Sequence, residues 1–249
     1  MAKSKPEANQ GGQRPEGGYL TWSRDPAVGL FAVLPLWVAY ELLRLMLAPA
    51  ERNGAEVFLL QEFDRLGWRG LFVLRAAFAI LLLGSALSLL RRNIPWLRVA
   101  AVVALEGTVY GLLLGPAACV LTNSAARVLA APAVGPDLMA NLVGSLGAGI
   151  FEELVFRLGL MSLLVWLGLR VVRSWSLPHW CVGAFAVVVS ALVFSWFHHL
   201  CGEPYDRTRF LFRTMAGVLL GMLMWGRGFG VCVYTHTFYD AHFYLTHPA

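Results

Sequence analysis

The chain is 249 residues long, 58% apolar and only 14% charged, with a formal net charge of +5. Soluble domains carry about 25% charged and 45–50% apolar residues, so this composition excludes an ordinary water-soluble globular protein. It equally excludes a disordered chain, a collagen-like repeat and a disulfide-rich secreted scaffold. A bilayer can hide what so small a soluble core could not. The expectation is an all-α polytopic membrane protein, a bundle of about seven (six to eight) transmembrane helices with no room for a large soluble domain. The positive balance is not a nucleic-acid signal. Lys3 and Lys5 are the only lysines, and the arginines are scattered between apolar runs, as positive-inside loops would have them.

In chain order, residues 1–26 are polar, rich in Gly, Pro and Gln, and lack the apolar stretch of a signal peptide, which predicts a disordered tail. The membrane domain is expected over 27–249. Its first span, about Ala27–Ala48, contains Pro35 and carries Glu41 and Arg44 as an i,i+3 neutralising pair. A polar loop follows, then a span at about Gly70–Leu90, the Arg91–Arg92 pair, and a span at about Val99–Thr122. Arg75 and Glu106, on these two spans, are candidates for pairing between helices. The stretch Asn123–Pro136 reads as a loop or re-entrant segment.

From Asp137 to Leu169 the chain runs 33 residues without proline. As a helix that is about 50 Å, longer than the roughly 30 Å hydrocarbon core, so it must tilt, protrude, or break near Gly144, Gly147 and Gly149. Further spans are predicted at about Cys181–Leu200, Leu211–Trp225 and Phe229–Leu245. Tryptophans 22, 37, 68, 96, 175 and 180 read as interface anchors. The four cysteines have no metal-like spacing and read as small packing residues. With the N-terminus inside, ten Lys and Arg fall on the inner side and seven on the outer. This modest bias favours a cytoplasmic N-terminus, in the inner membrane if the source is bacterial.

An ionised side chain in mid-bilayer costs about 2.5–3.5 kcal/mol on insertion scales, so each one needs a reason. Three groups stand out on three late spans: Glu152, Glu153 and Arg157; Phe194 and His198; His236 and Asp240. Each has four-residue spacing, one helical turn. Adjacent Glu152 and Glu153 point about 100° apart on a helix, so only Glu153 is placed to pair with Arg157 as a fixed anchor. Glu152 is then free to act as a general base. Two histidines and an aspartate arriving from other helices could orient a water, bind a metal or stabilise an oxyanion.

Taken singly, each group has an ordinary structural explanation: a helix-stabilising ion pair, a packed histidine, a capping aspartate. Together on three spans they point to hydrolysis within the membrane. His179 and His247 lie at span edges and stay outside the site, and His242 is a weak extra.

These residues resemble the CAAX-protease and bacteriocin-processing family of intramembrane proteases, often called the CPBP or Abi family. Its pattern of Glu-Glu-x-x-x-Arg, Phe-x-x-x-His and His-x-x-x-Asn/Asp is matched by Glu152–Glu153–Arg157, Phe194–His198 and His236–Asp240. The glycine-rich stretch Gly217–Gly230 also looks like the family's. The resemblance covers residues 144–249; the first 140 carry no motif of it. It implies a helical bundle with a catalytic cavity and an endopeptidase that cuts a membrane-anchored or lipid-proximal tail near the bilayer surface. Glu152 would activate the water and His198 share it, with His236 and Asp240 stabilising the oxyanion or holding a metal. His199 departs from the pattern, its own Phe-x-x-x frame failing at Ser195.

Spacing leaves the cofactor open. A divalent cation such as zinc would find its ligands among His198, His236, Asp240 and Glu152, yet no His-Glu-x-x-His helix is present, which argues against a zincin-type site. Two other functions compete: a non-catalytic scaffold or immunity protein of the same fold, and a proton-relaying transporter. A transporter would show broken helices in both halves, whereas here the polar groups all lie in the C-terminal half.

Overall fold

The computed structural model describes residues 17–46, 53–65, 67, 69–92, 94–123, 138–172, 178–201 and 203–247. Every regular element among them is helical. They are α1 (Tyr19–Trp22), α2 (Pro26–Met46), α3 (Gly54–Arg65), α4 (Gly70–Leu90), α5 (Trp96–Thr122), α6 (Leu138–Val172), α7 (His179–Leu200), α8 (Arg207–Arg227) and α9 (Phe229–Thr246). Five of them, α2, α4 (from Phe72), α5, α6 and α7, are long and apolar enough to cross a membrane. Helices α8 and α9, also predicted as spans, fall outside that group, so among the described residues five of the seven expected transmembrane helices meet the measure. The stretch Asn123–Pro136 lies outside the described residues beyond Asn123, which ends α5 in a left-handed conformation at φ 50°.

Helix α9 forms the middle of the bundle: all nine residues from Phe229 to Thr237 are buried. Its approach to α5 is set by Gly107, Gly111 and Gly115, one turn apart on a single face. A Cβ at Gly107 would lie 2.4 Å from the Cβ of Tyr234, and one at Gly111 would lie 2.9 Å from the carbonyl oxygen of Thr235. Small residues at four-residue spacing let helix backbones meet in a membrane, where there is no hydrophobic force to press them together. The turn from α8 into α9 is made at Gly228, whose φ of 93° suits only glycine.

The long run predicted to tilt, protrude or break stays one helix, α6, but it loosens into π-helical turns over Ala148–Glu152 and Leu154–Met161. Such turns are rare and recur at functional sites. Here they hold Glu152, Glu153 and Arg157.

Three expectations are corrected. The polar loop after the first span contains α3, an amphipathic helix. Its acid Glu56 is buried and bonded to Tyr40 Oη at 2.5 Å and to Arg44 at 3.1 Å. The tail does not extend to residue 26: α1 and the start of α2 occupy its end. Tyr19 donates to Glu106 there, and Arg92 forks onto Asp25 at 2.5 and 3.1 Å. The intramembrane charges also choose different partners. Glu41 pairs with Arg75 (2.6 Å) instead of Arg44, and Glu106 with Arg227 (2.6 Å) instead of Arg75. In each case a partner from another helix prevails over the one expected from sequence.

Candidate active site

The three sequence groups meet. Close packing of α6 on α9 brings them together: a Cβ at Gly149 would fall 1.9 Å from Thr237 Oγ1, so only glycine permits this crossing. One turn beyond it, Glu153 is fully buried and tied on both oxygens. Its Oε1 accepts from Arg157 Nη1 at 2.9 Å and from His236 Nδ1 at 2.6 Å, and its Oε2 accepts from Cys232 Sγ at 2.9 Å. Arg157, also fully buried, donates to the Gly217 carbonyl at 3.3 Å and lies over the Phe194 ring, 4.3 Å from its centroid. Its Nε has no partner. This residue staples α6, α7, α8 and α9 together.

Glu152 faces elsewhere, into a cavity of about 730 Å³ whose walls include Phe194, Phe197, Leu114, Tyr239 and Tyr244. Its Oε1 accepts from Asn53 Nδ2 at 2.8 Å. Its Oε2 has two imidazole nitrogens near it, His198 Nε2 at 3.9 Å and His236 Nε2 at 3.8 Å. The tautomers follow from the other ring nitrogens. His198 Nδ1 sits 3.0 Å from the Phe194 carbonyl, which can only accept, so Nδ1 carries the proton. His236 Nδ1 likewise faces the Glu153 carboxylate. Both Nε2 atoms are therefore turned to Glu152, too far for a direct hydrogen bond and suitably spaced for one bridging water. Asp240 Oδ2 lies 3.5 Å from His236 Nε2 and completes the set.

The rim of the cavity carries a compact ionic group. Glu203 binds Arg213 and, at 3.2 Å, Arg209. Burial opposes ionisation of Glu203, but the hydrogen bond and charge of Arg213 outweigh it and hold the carboxyl below the ordinary glutamate range. Cys201, exposed on the same rim, has its thiol pushed up by burial and by the Glu152 charge, so it is no activated thiolate. His199 turns away among Trp196, Tyr205 and Phe210, with Nδ1 3.3 Å from the Glu203 carbonyl. His242 is exposed and does not line the cavity.

Among the described residues no three His, Cys, Asp or Glu side chains are grouped as a metal ion requires. Of the four residues named for a cation, His198 Nε2 and His236 Nε2 lie 3.9 and 3.8 Å from Glu152 Oε2, and Asp240 Oδ2 lies 3.5 Å from His236 Nε2.

Sequence reasoning missed two residues. Cys232 reads from the sequence as packing alone, yet its thiol bonds Glu153. Asn53 belongs to the first 140 residues, which carry no family motif. It was legible only as a helix start, since Asn53 followed three residues later by Glu56 is an N-cap pattern.

Glu152, two inward-turned histidines and an aspartate thus share one cavity of a helical bundle, five of whose helices are long and apolar enough to cross a membrane. Residues 135–242 match the Rce1-like family, described as Type II CAAX prenyl endopeptidase Rce1-like. That match spans all three motifs and agrees with the resemblance read from the sequence. No curated protein and no solved structure matches the chain.

Proposed function

We propose that this protein is an intramembrane endopeptidase that hydrolyses a peptide bond in a membrane-anchored tail, using one water activated by Glu152. The observation that carries this reading is the convergence of His198 Nε2 and His236 Nε2 on Glu152 Oε2, at 3.9 and 3.8 Å in a cavity open for substrate. A water held between Glu152 and His198 gives its proton to Oε2 as its oxygen attacks the scissile carbonyl carbon. His236, protonated on both ring nitrogens between the Glu153 and Asp240 carboxylates, presents Nε2–H to the developing oxyanion, and Asp240 balances the charge of this imidazolium. Glu152 then returns its proton to the leaving amine, the C–N bond breaks, and a new carboxylate and a free amine leave. Asp240 is an acceptor when ionised, so it supports His236 rather than donating to the oxyanion itself.

The direction of approach follows from the helix order. Asn53, Cys201, Glu203 and the end of α9 lie at one end of the bundle. Tyr19, Arg92 and the Gly228 turn lie at the other. The cavity thus opens opposite the N-terminal segment, which is the outer face if that segment is cytoplasmic. The test compares protein termini in membrane and secreted fractions of cells carrying wild-type protein or Glu152→Gln. A defined set of tails left uncut only in the variant supports the reading and identifies substrates. If loss of the gene gives a phenotype that Glu152→Gln rescues, with no terminus changed, the protein is a scaffold.

A further inference from the structure

We infer that Asn53, at the start of α3, is the positioning residue that decides which oxygen of Glu152 acts as the base; this rests on the hydrolytic reading above. The Asn53 side chain is fixed at both ends. Its Oδ1 accepts from the Ala55 backbone N–H at 2.8 Å, as a helix N-cap does, so the amide cannot flip without losing the cap. Its Nδ2 must then face Glu152, where it donates to Oε1 at 2.8 Å. One carboxylate oxygen is thereby occupied, and the remaining basic oxygen is the one that faces His198 and His236.

The support for Asn53 is itself rigid. Helix α3 is held to α2 by buried Glu56 through Tyr40 and Arg44, and to α7 by the edge contact of Phe58 with Phe197 at 5.7 Å. A Cβ at Gly54 would lie 3.2 Å from Cys201 Sγ, so the helix start sits directly on the cavity rim. The site is therefore completed by a segment outside the matched residues 135–242, and the amphipathic helix α3 is a working part of it.

A capping role and a positioning role can be separated, because Ser and Asp are both good N-caps while neither can donate to Glu152 as the amide does. The tails that Glu152→Gln leaves uncut are followed by pulse labelling in cells carrying Asn53→Ser or Asn53→Asp, with thermal unfolding of each purified variant in detergent. Losing a hydrogen bond to a charged group lowers a rate that depends on it by about 10–100-fold. The expected result is tail removal slowed by about that factor in Asn53→Ser, and further in Asn53→Asp, whose carboxylate opposes Glu152, at near-wild-type unfolding temperature. Wild-type rates in Asn53→Ser beside an inert Glu152→Gln would overturn this inference alone. An active Glu152→Gln would overturn both this inference and the reading beneath it.

Discussion

Two polar clusters lie inside this bundle, and they differ in what their groups have left to do. At the end that carries the N-terminal segment, Glu106 is closed off. Arg227 forks onto both its oxygens at 2.6 Å, and Tyr19 adds a hydroxyl. At the cavity, Glu152 has one oxygen held by Asn53 and the other facing two imidazole nitrogens at 3.9 and 3.8 Å. The first cluster is half-buried, satisfied and neutral. The second keeps an unspent basic oxygen at the wall of a cavity. Charge inside a membrane marks both; incomplete pairing marks only the cluster to which the proposal gives the chemistry. The adjacent Glu152 and Glu153 repeat the contrast within one helical turn.

This comparison can be broken in steps, beginning with the largest effect. Arg157→Ala leaves Glu153 buried without its cation, and breaking such a pair costs about 3–5 kcal/mol. The variant should unfold or be degraded, whereas Arg227→Ala at the more accessible cluster should leave folded protein; thermal unfolding in detergent compares them. Next is Gly111→Leu. Its side chain would meet the Thr235 carbonyl and the Phe238 Cβ, 2.9 and 3.0 Å from the new Cβ. Overpacking of this kind costs about 1–3 kcal/mol, and by displacing α9 it should also slow tail cleavage in the same pulse-labelling assay.

The smallest effect is expected at the rim. The pairing of half-exposed Glu203 with Arg213 and Arg209 is worth at most about 1 kcal/mol. Because its folded-state pKa is depressed, that contribution is fully present above the ordinary glutamate range and is lost as pH falls through the depressed value. Glu203→Gln should therefore lower the unfolding temperature slightly at neutral pH and match wild type in strong acid, as a pH series of unfolding curves would record.

Much of the candidate site was legible because apolar surroundings make each ionisable residue conspicuous. Glu152, Glu153, Arg157, His198, His236 and Asp240 all stood out for that reason, and helical spacing alone told that Glu153 and not Glu152 pairs with Arg157. Asn53 did not stand out: a neutral amide in a polar stretch carries no cost that demands explanation, and its partner is 99 residues away. The pairs proposed for Glu41, Arg44, Arg75 and Glu106 failed for two reasons. Spacing suggested a local Arg44 for Glu41, and sequence does not say which helices adjoin, whereas packing supplied Arg75 for Glu41, Glu56 for Arg44 and Arg227 for Glu106. The glycines of α5, in contrast, stand at four-residue spacing in the sequence and could have been read as the seam against another helix.

The most direct test sets the two clusters against each other. Glu152→Gln and Glu106→Gln are compared in one strain for cleavage of the same tails, and after purification for thermal unfolding. Glu152→Gln should unfold close to wild type and lose cleavage by about 100-fold or more, the scale of a removed general base, while Glu106→Gln should unfold earlier and still cut. Cleavage retained in Glu152→Gln, or abolished in a Glu106→Gln protein that unfolds like wild type, would contradict the assignment of Glu152 as the reacting carboxylate.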